Sequence, residues 1–395
     1  MARPADSVAL TALRIAGHVL RERIHPQRAR HLQDVPSSVT VLTPEWWTAV
    51  ICSGHPDAKV LGFDALEASA GTHQRHRFLL RYNDAGHIAR LPMSVFTKSL
   101  PNVLTRMIGG YNGTARAEGR FYREIRPSLG IETPIGYHSA FDRHSLAGIN
   151  VLEDIVATRG ARFCDADAYV TRDMAESMVD LLAQLHAHAY GNARLDQQWR
   201  WLANFADWFE IGARKMDTER YTRKAMQRMA DRIPARLAKR LNEIWPATIA
   251  ASAIHRHGPR GLLHSDVHIG NWYRHSQGQM GLFDWQCVAQ GHWSRDVAYA
   301  LSAALTIEDR RAWERALLAR YLEILSNTAG VYIDADFAWR HYRAQMLHAL
   351  WMWTITLCHS GWLPAMQPQA TSMEMIERIA TAVDDLDSLN AATRG

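Results

Sequence analysis

The sequence predicts an α+β chain of two lobes, a small N-terminal lobe built on an antiparallel sheet and a larger, mostly helical C-terminal lobe. Three observations carry this expectation. Strand-like segments follow one another between residues 59 and 99 with no long helix between them. From about residue 171 the apolar spacing becomes helical and stays so. One stretch breaks the helical half, "GLLHSDVHIGNWYRHSQGQMGLFDWQ", residues 261–286, where aspartates, histidines and an asparagine sit among apolar residues. A chain of 395 residues suits two such lobes, expected at 1–155 and 156–395 with a short connection near 153–158.

Composition removes several classes of function. With 47% hydrophobic and 22% charged residues the chain has enough apolar material for a packed core, so disorder is not expected. The net charge of +5 comes from arginines scattered along the chain, with no basic stripe interleaved with aromatics, so no nucleic-acid partner is expected. Cys52, Cys164, Cys287 and Cys358 lack the C-x-x-C spacing of a zinc site and form no disulfide framework. No uninterrupted apolar run reaches the roughly 18 residues of a membrane span, and a cytoplasmic location is the default expectation. The N-terminal segment, interrupted by Arg14, reads as an amphipathic helix opened by Asp6 or Ser7.

The elements follow in order. "TPEWWTAVIC" starts a helix at Thr43, with Pro44 at its first position and Glu45 in its first turn. "KVLGFDALEASAGTHQRHRFLLRYND" reads as two extended segments around a turn at "SAGTHQ", and "RLPMSVFTKSL" as a third strand. Residues 114–130 show a helix through Phe121, Ile125 and Leu129, stopped by Gly130. "TPIGYHSAF" and "GINVLEDI" complete a five-stranded sheet. "WYRHSQGQMGLF" reads as a hairpin turning at "SQGQ", which returns Asp284 toward Asn271.

Within the interrupting stretch, His264, Asp266 and Asn271 have the order H-x-D-x-x-x-x-N, the spacing of a kinase catalytic loop. Phosphoryl transfer needs a carboxylate beside the attacking hydroxyl, oxygen ligands for Mg²⁺ and a lysine on the phosphates. Asp266 fits the first role, and Asn271 with Asp284 the second, since Mg²⁺ takes only one or two protein oxygens beside those of phosphate.

On these residues the chain resembles the aminoglycoside phosphotransferase and choline kinase superfamily of small-molecule kinases. "SDVHIGNWY" and "LFDWQCVAQGHWSRDVAY" are similar to its ecdysteroid-kinase-like branch. The resemblance implies a protein-kinase-like fold, ATP as donor, Mg²⁺ and a small-molecule hydroxyl acceptor. It gives Asp284 to the metal and follows it with Trp285. It makes Asp296 a support for the catalytic loop, and His264 a brace of that loop, with His268 read the same way. Lys98 in "SVFTKSL" becomes the strand lysine on the phosphates. Glu118 and Glu124 compete as its partner, and "AEGRFYRE" favours Glu118. Backbone of Ser69, Ala70 and Gly71 would cover the phosphates, although only Gly71 stands where protein kinases have three glycines. "NVLEDI" would be the hinge against which adenine docks, with Glu153 and Asp154 offering mostly backbone groups.

Twenty histidines invite a metal reading, but His186 and His188, at i and i+2 of a helix, face apart and read as packed or surface residues. Trp351, Trp353 and Trp362 cluster in "ALWMWTITLCHSGWLP" and read either as core or as walls of an acceptor pocket. Aromatic walls suit an apolar or ring-containing alcohol better than a polycation. An aminoglycoside or other antibiotic kinase is the alternative acceptor class. A pseudokinase or nucleotide-dependent binding protein is the alternative of another kind, left open by the irregular glycine loop and by Ser265, which stands where the family usually has glycine.

Overall fold

In the computed structural model, residues 8–70, 73–361 and 365–393 are described. Chain contacts divide it into two compact units. The first comprises Met1–Leu129, Thr133–Ala161 and Asp284–Cys287, and the second Gly130–Glu132, Arg162–Phe283 and Val288–Gly395. Asp284 and Trp285 thus belong to the first unit although they lie deep in the second half of the sequence.

The first unit is built on a five-stranded antiparallel sheet of strands β1 (Val60–Ala70), β2 (Gln74–Tyr82), β3 (Ser94–Ser99), β4 (Gly136–Phe141) and β5 (Gly148–Glu153), in the spatial order β1-β2-β3-β5-β4. This is the expected sheet. One face packs against the helix Pro44–Ile51, where Trp46 and Trp47 meet Phe78, Leu80, Val95 and Val151 in a common core. Thr43 caps that helix as expected, its hydroxyl accepting the Trp46 N–H at 3.2 Å. The N-terminal helix spans Val8–Ile24; Asp6 and Ser7, the expected openers, lie outside the described residues.

The expected helix at 114–130 is one regular helix only as far as Arg120. Wider π-type turns follow at Phe121–Ile125, then a tight turn at Arg126–Ser128. Pro127 gives the reason. Its ring has no N–H and would clash with a carbonyl four residues back, so regular winding cannot continue past it.

The second unit is mainly helical. The helices Arg172–Ala187, Ile307–Ala329, Ala335–Leu357 and Gln369–Asp385 surround a short helix, Ser294–Ala304, in which every residue is buried. A helix buried all round needs its polar residues satisfied from within, and this one carries Arg295 and Asp296. The short strands β6 (Arg162–Phe163), β7 (Gly261–Leu263), β8 (Trp272–Arg274), β9 (Met280–Leu282) and β10 (Ala289–Gly291) frame the interrupting stretch. Strand β7 pairs with β10, and the expected hairpin joins β8 to β9. Among the described residues no helix is long and apolar enough to cross a membrane.

Candidate active site

The loop after β7 is held by the buried helix that follows it in sequence. Asp296 accepts the backbone N–H of His264 at 2.7 Å with one carboxylate oxygen and that of Ser265 at 3.0 Å with the other. His186 touches the same carboxylate at 3.4 Å and meets the Tyr321 hydroxyl through its other ring nitrogen. Burial opposes ionisation of Asp296, but the contacts with His186 and the nearby Arg295 outweigh it and keep its pKa below the ordinary carboxylate value. Arg295 donates to the Ser265 carbonyl at 3.1 Å and lies over the rings of Phe205 and Tyr299. His264 ties both ends of the stretch: its Nδ1 accepts the Asp266 N–H at 3.2 Å, and its Nε2 meets the Phe283 carbonyl at 3.0 Å.

Within this frame Asn271 donates its side-chain amide to the Asp266 carbonyl at 2.8 Å, which leaves its carbonyl oxygen for another partner. The Asp266 carboxylate is mostly shielded, with the Tyr299 hydroxyl 3.5 Å from one oxygen and His268 Nε2 3.9 Å from the same oxygen. His268 therefore sits beside the carboxylate itself, its ring edge-on to Trp353.

Ser265 has φ +66°, in the left-handed region where a side chain is strained. Its hydroxyl finds no hydrogen-bond partner among the described residues. The helix-borne carboxylate that holds the Ser265 N–H forces this conformation on the loop. Ser265→Gly is expected to raise stability by about 1 kcal/mol, seen as a higher denaturation midpoint at unchanged slope; a lower midpoint would show that the serine stabilises the loop.

In the first unit a polar row crosses the sheet. The register sets Arg75 opposite Lys98, Lys98 opposite Asn150, and Asn150 opposite Ser139, so these residues share one face. Lys98 is buried, with Nζ 2.7 Å from Glu118 and 2.8 Å from Asp284. Asn150 donates to the second Glu118 oxygen at 3.3 Å, and Arg75 stands 3.7 Å from Asp284. Glu124 instead pairs with Arg120 and Arg123, so of the two competing glutamates it is Glu118 that meets Lys98.

Two carboxylates share one ammonium here, and the electrostatics follow from that. Burial weakens the lysine's charge, but Asp284 and Glu118 outweigh it and hold its pKa above the ordinary value. Burial also disfavours ionised Asp284, yet Lys98 holds it well below the usual carboxylate range. Glu118 is pushed up, first by burial and also by Asp284, against the pull of Lys98. Buried His73 is lowered to about 4, by desolvation and then by Lys98.

Trp285 explains how Asp284 is fixed. Its ring stacks on Phe121 at 3.8 Å, nearly parallel, and its Nε1 donates to the Thr133 hydroxyl at 2.8 Å. Asp284 itself has φ +67°, so its neighbours impose an unfavourable backbone conformation. Taken each by itself, the Asp284 carboxylate and the Asn271 amide oxygen, left by the amide's own bond to the loop, are hard oxygens of the type that Mg²⁺ takes.

Other expected residues take different places. Ser69 and Ala70 are not loop residues: they pair in the β1–β2 ladder with Arg75 and Gln74. Gly71 lies outside the described residues. Glu153 and Asp154 close the sheet, and their side chains have internal partners. Glu153 accepts from Thr158, Arg159 and the Ile135 N–H, while Asp154 binds Arg77 and Ser94 and caps the following turn. Trp351 is buried against Phe205, Phe209 and Leu263, in agreement with the core reading of the two that the sequence left open. Trp353 is also buried, and Trp362 lies outside the described residues. His186 is a packed residue that serves Asp296, and His188 stacks on Trp199.

Arg75, His73, Asn150, Tyr299 and Arg295 escaped the sequence reading. For Arg75 a signal was present, since carrying the hairpin register at "SAGTHQ" through to β3 places it opposite Lys98.

No curated protein sequence matches the chain. Several solved structures are similar. An aminoglycoside phosphotransferase from Alicyclobacillus acidocaldarius shares 14% identity over 82% of this chain and 92% of its own, with a TM-score of 0.46. A choline kinase from Streptococcus pneumoniae shares 15% over 83% and 94%, with a TM-score of 0.42. A macrolide 2'-phosphotransferase from Brachybacterium faecium shares 14% over 84% and 98%, with a TM-score of 0.44. The model of the phosphotransferase enzyme family, APH, matches residues 101–343, more than half of the sequence and the whole of the loop built on Asp266, and the chain belongs to that family.

Proposed function

We propose that the protein is an ATP- and Mg²⁺-dependent kinase that phosphorylates a hydroxyl of a small molecule. The observation that carries this reading is the buried Lys98 ammonium held by Glu118 and Asp284, in a chain whose Asp266 loop has kinase spacing. An ammonium shared by two carboxylates is preset for polyphosphate. When Asp284 turns to a cation, Lys98 keeps Glu118 and gains the phosphate oxygens.

In this reading Asp266 accepts the proton of the acceptor hydroxyl as its oxygen attacks the γ-phosphorus. The bond to the β,γ-bridging oxygen breaks, and ADP leaves. Asn271 and Asp284 would hold Mg²⁺, which when bound offsets phosphate charge. Asp296 and Arg295 fix the loop so that little reorganisation is needed during the reaction. Backbone at Glu153 and Asp154 is assigned to adenine.

The similarity of "SDVHIGNWY" and "LFDWQ" to ecdysteroid-kinase-like sequences favours that branch of the family. An apolar or ring-containing acceptor is the class that branch favours. Of the three tryptophans, Trp351 packs in a core cluster and so lends this class little support. The test is a panel of sterols, other hydroxylated metabolites and aminoglycoside and macrolide antibiotics, incubated with enzyme and Mg·ATP and read by mass spectrometry. A gain of one phosphate on a panel member, dependent on Mg²⁺ and lost without enzyme, supports the reading. Mg²⁺-dependent ATP binding with no phosphate transferred to any hydroxyl overturns it in favour of a nucleotide-binding protein.

A further inference from the structure

Against the polar row of the sheet lies a cavity of about 380 Å³ that shares Lys98 with the proposed chemistry and whose arginines that chemistry does not use. One wall is the row itself, with Lys98, Asn150 and Ser139. The other is the helix Thr114–Arg120 and its continuation, which contribute Arg116, Arg120 and Arg123, and Arg143 comes from the turn between β4 and β5. Four guanidinium groups thus surround one concavity, against a single carboxylate, Glu124. Arg120 and Arg123 share that carboxylate, while among the described residues neither Arg116 nor Arg143 makes an ion pair.

Like charges placed this close repel, and one carboxylate, Glu124, compensates only part of that charge. The pKa of Arg116 is lowered by desolvation and then by the charges of Arg143, Arg120 and Arg123. A concave surface of one sign concentrates counter-ions, and guanidinium forks match the oxygens of phosphate. The volume lies in the ordinary range of small-molecule sites, roughly 300–1,000 Å³. Leu100, Phe141 and Ile149 add apolar groups to its lining.

We propose that this cavity is a second ligand site, which binds a small phosphate-bearing molecule through Arg116 and Arg143 and borders the Lys98 that the kinase reading gives to the nucleotide. The site has a direct line to the proposed active centre. Asn150 and Gly119 line it, and Asn150 is the residue that donates to Glu118. A Cβ at position 119 would come within 3.0 Å of the Asn150 side-chain oxygen, so helix and strand are in close contact there.

The test uses inorganic pyrophosphate, titrated calorimetrically into the full chain in magnesium-free buffer, with wild type, Arg116→Ala/Arg143→Ala and the control Arg220→Ala/Arg223→Ala compared. Neither Arg116 nor Arg143 belongs to the proposed catalytic machinery, so the thermal midpoint and any Mg·ATP turnover of their double variant should match wild type. The expected result is binding to wild type and control that weakens by about tenfold or more in Arg116→Ala/Arg143→Ala. Equal affinity in all three proteins would place the pyrophosphate elsewhere and overturn the proposal. Equal loss in the control would reduce the effect to general charge, and absence of binding to wild type at millimolar pyrophosphate would also overturn it. Turnover reports separately on the kinase reading, so the two can fail independently.

Discussion

Asp266→Ala is expected to lower turnover by about 10²–10⁴-fold, the usual contribution of a positioned general base. This substitution is unusually clean because the loop uses Asp266 through its backbone. The Asp266 N–H goes to His264 and its carbonyl accepts from Asn271, and both bonds survive in alanine. Among the described residues the carboxylate has the long contacts with Tyr299 and His268. The thermal midpoint should therefore stay near that of wild type while steady-state turnover collapses. A variant with wild-type turnover would remove Asp266 from the chemistry. One that loses turnover together with its fold would show that the carboxylate is structural, and Asp266→Asn would then separate charge from shape.

The second large effect is on stability against acid. His255, His292 and His348 are fully buried in the helical unit and His73 in the sheet unit. Desolvation is the leading cause that lowers each pKa, to about 4 for His73 and well below the ordinary value for the other three. Hydrogen bonds agree with neutral rings. His255 Nδ1 accepts the His292 N–H at 3.1 Å, and its Nε2 and His348 Nδ1 both meet the Gln345 side-chain oxygen. Arg295 adds repulsion against any further positive charge on His255 and His348.

The sign follows from linkage. A histidine whose folded pKa lies below its unfolded value of 6.5 contributes stability that is complete above 6.5. That stability is lost as pH falls from there toward the folded pKa. Each such group costs about 1.4 kcal/mol per pH unit below the unfolded pKa, so denaturant unfolding at about pH 5.5 should show a stability several kcal/mol below that at about pH 7.5. The depressed Asp284 titrates at still lower pH and does not contribute in this window. A flat stability profile across that interval would mean that these rings are already charged or reach solvent in the folded protein.

How far the sequence reached differs between the two halves of the candidate site. The Asp266 loop was legible because its residues lie within eight positions of one another, and local spacing constrains local geometry. The five strands and the hairpin between β8 and β9 were legible through alternation and turn residues. The choice of Glu118 over Glu124 rested on resemblance. The sheet unit supplies its reason, in that Glu118 is buried against Lys98 and Asn150 while Glu124 pairs with arginines of its own helical stretch. The tryptophans stayed open between two readings because apolar aromatics at helical spacing serve a core and a ligand wall equally well, and only their neighbours distinguish the two uses.

By itself the sequence determined the element types, the order of the candidate site residues and the spacing from His264 to Asn271, all properties of near neighbours along the chain. Tertiary structure decided what depends on distant segments meeting. It gave Lys98 to Glu118 and Asp284, 20 and 186 residues away in sequence. It set Arg75 in register with Lys98, made Asp296 the holder of a strained Ser265, sent Trp351 into the core, and gathered four arginines around one cavity. A charge's partner is set by the fold, because Coulomb and desolvation energies depend on distance and burial in space and not on separation along the chain.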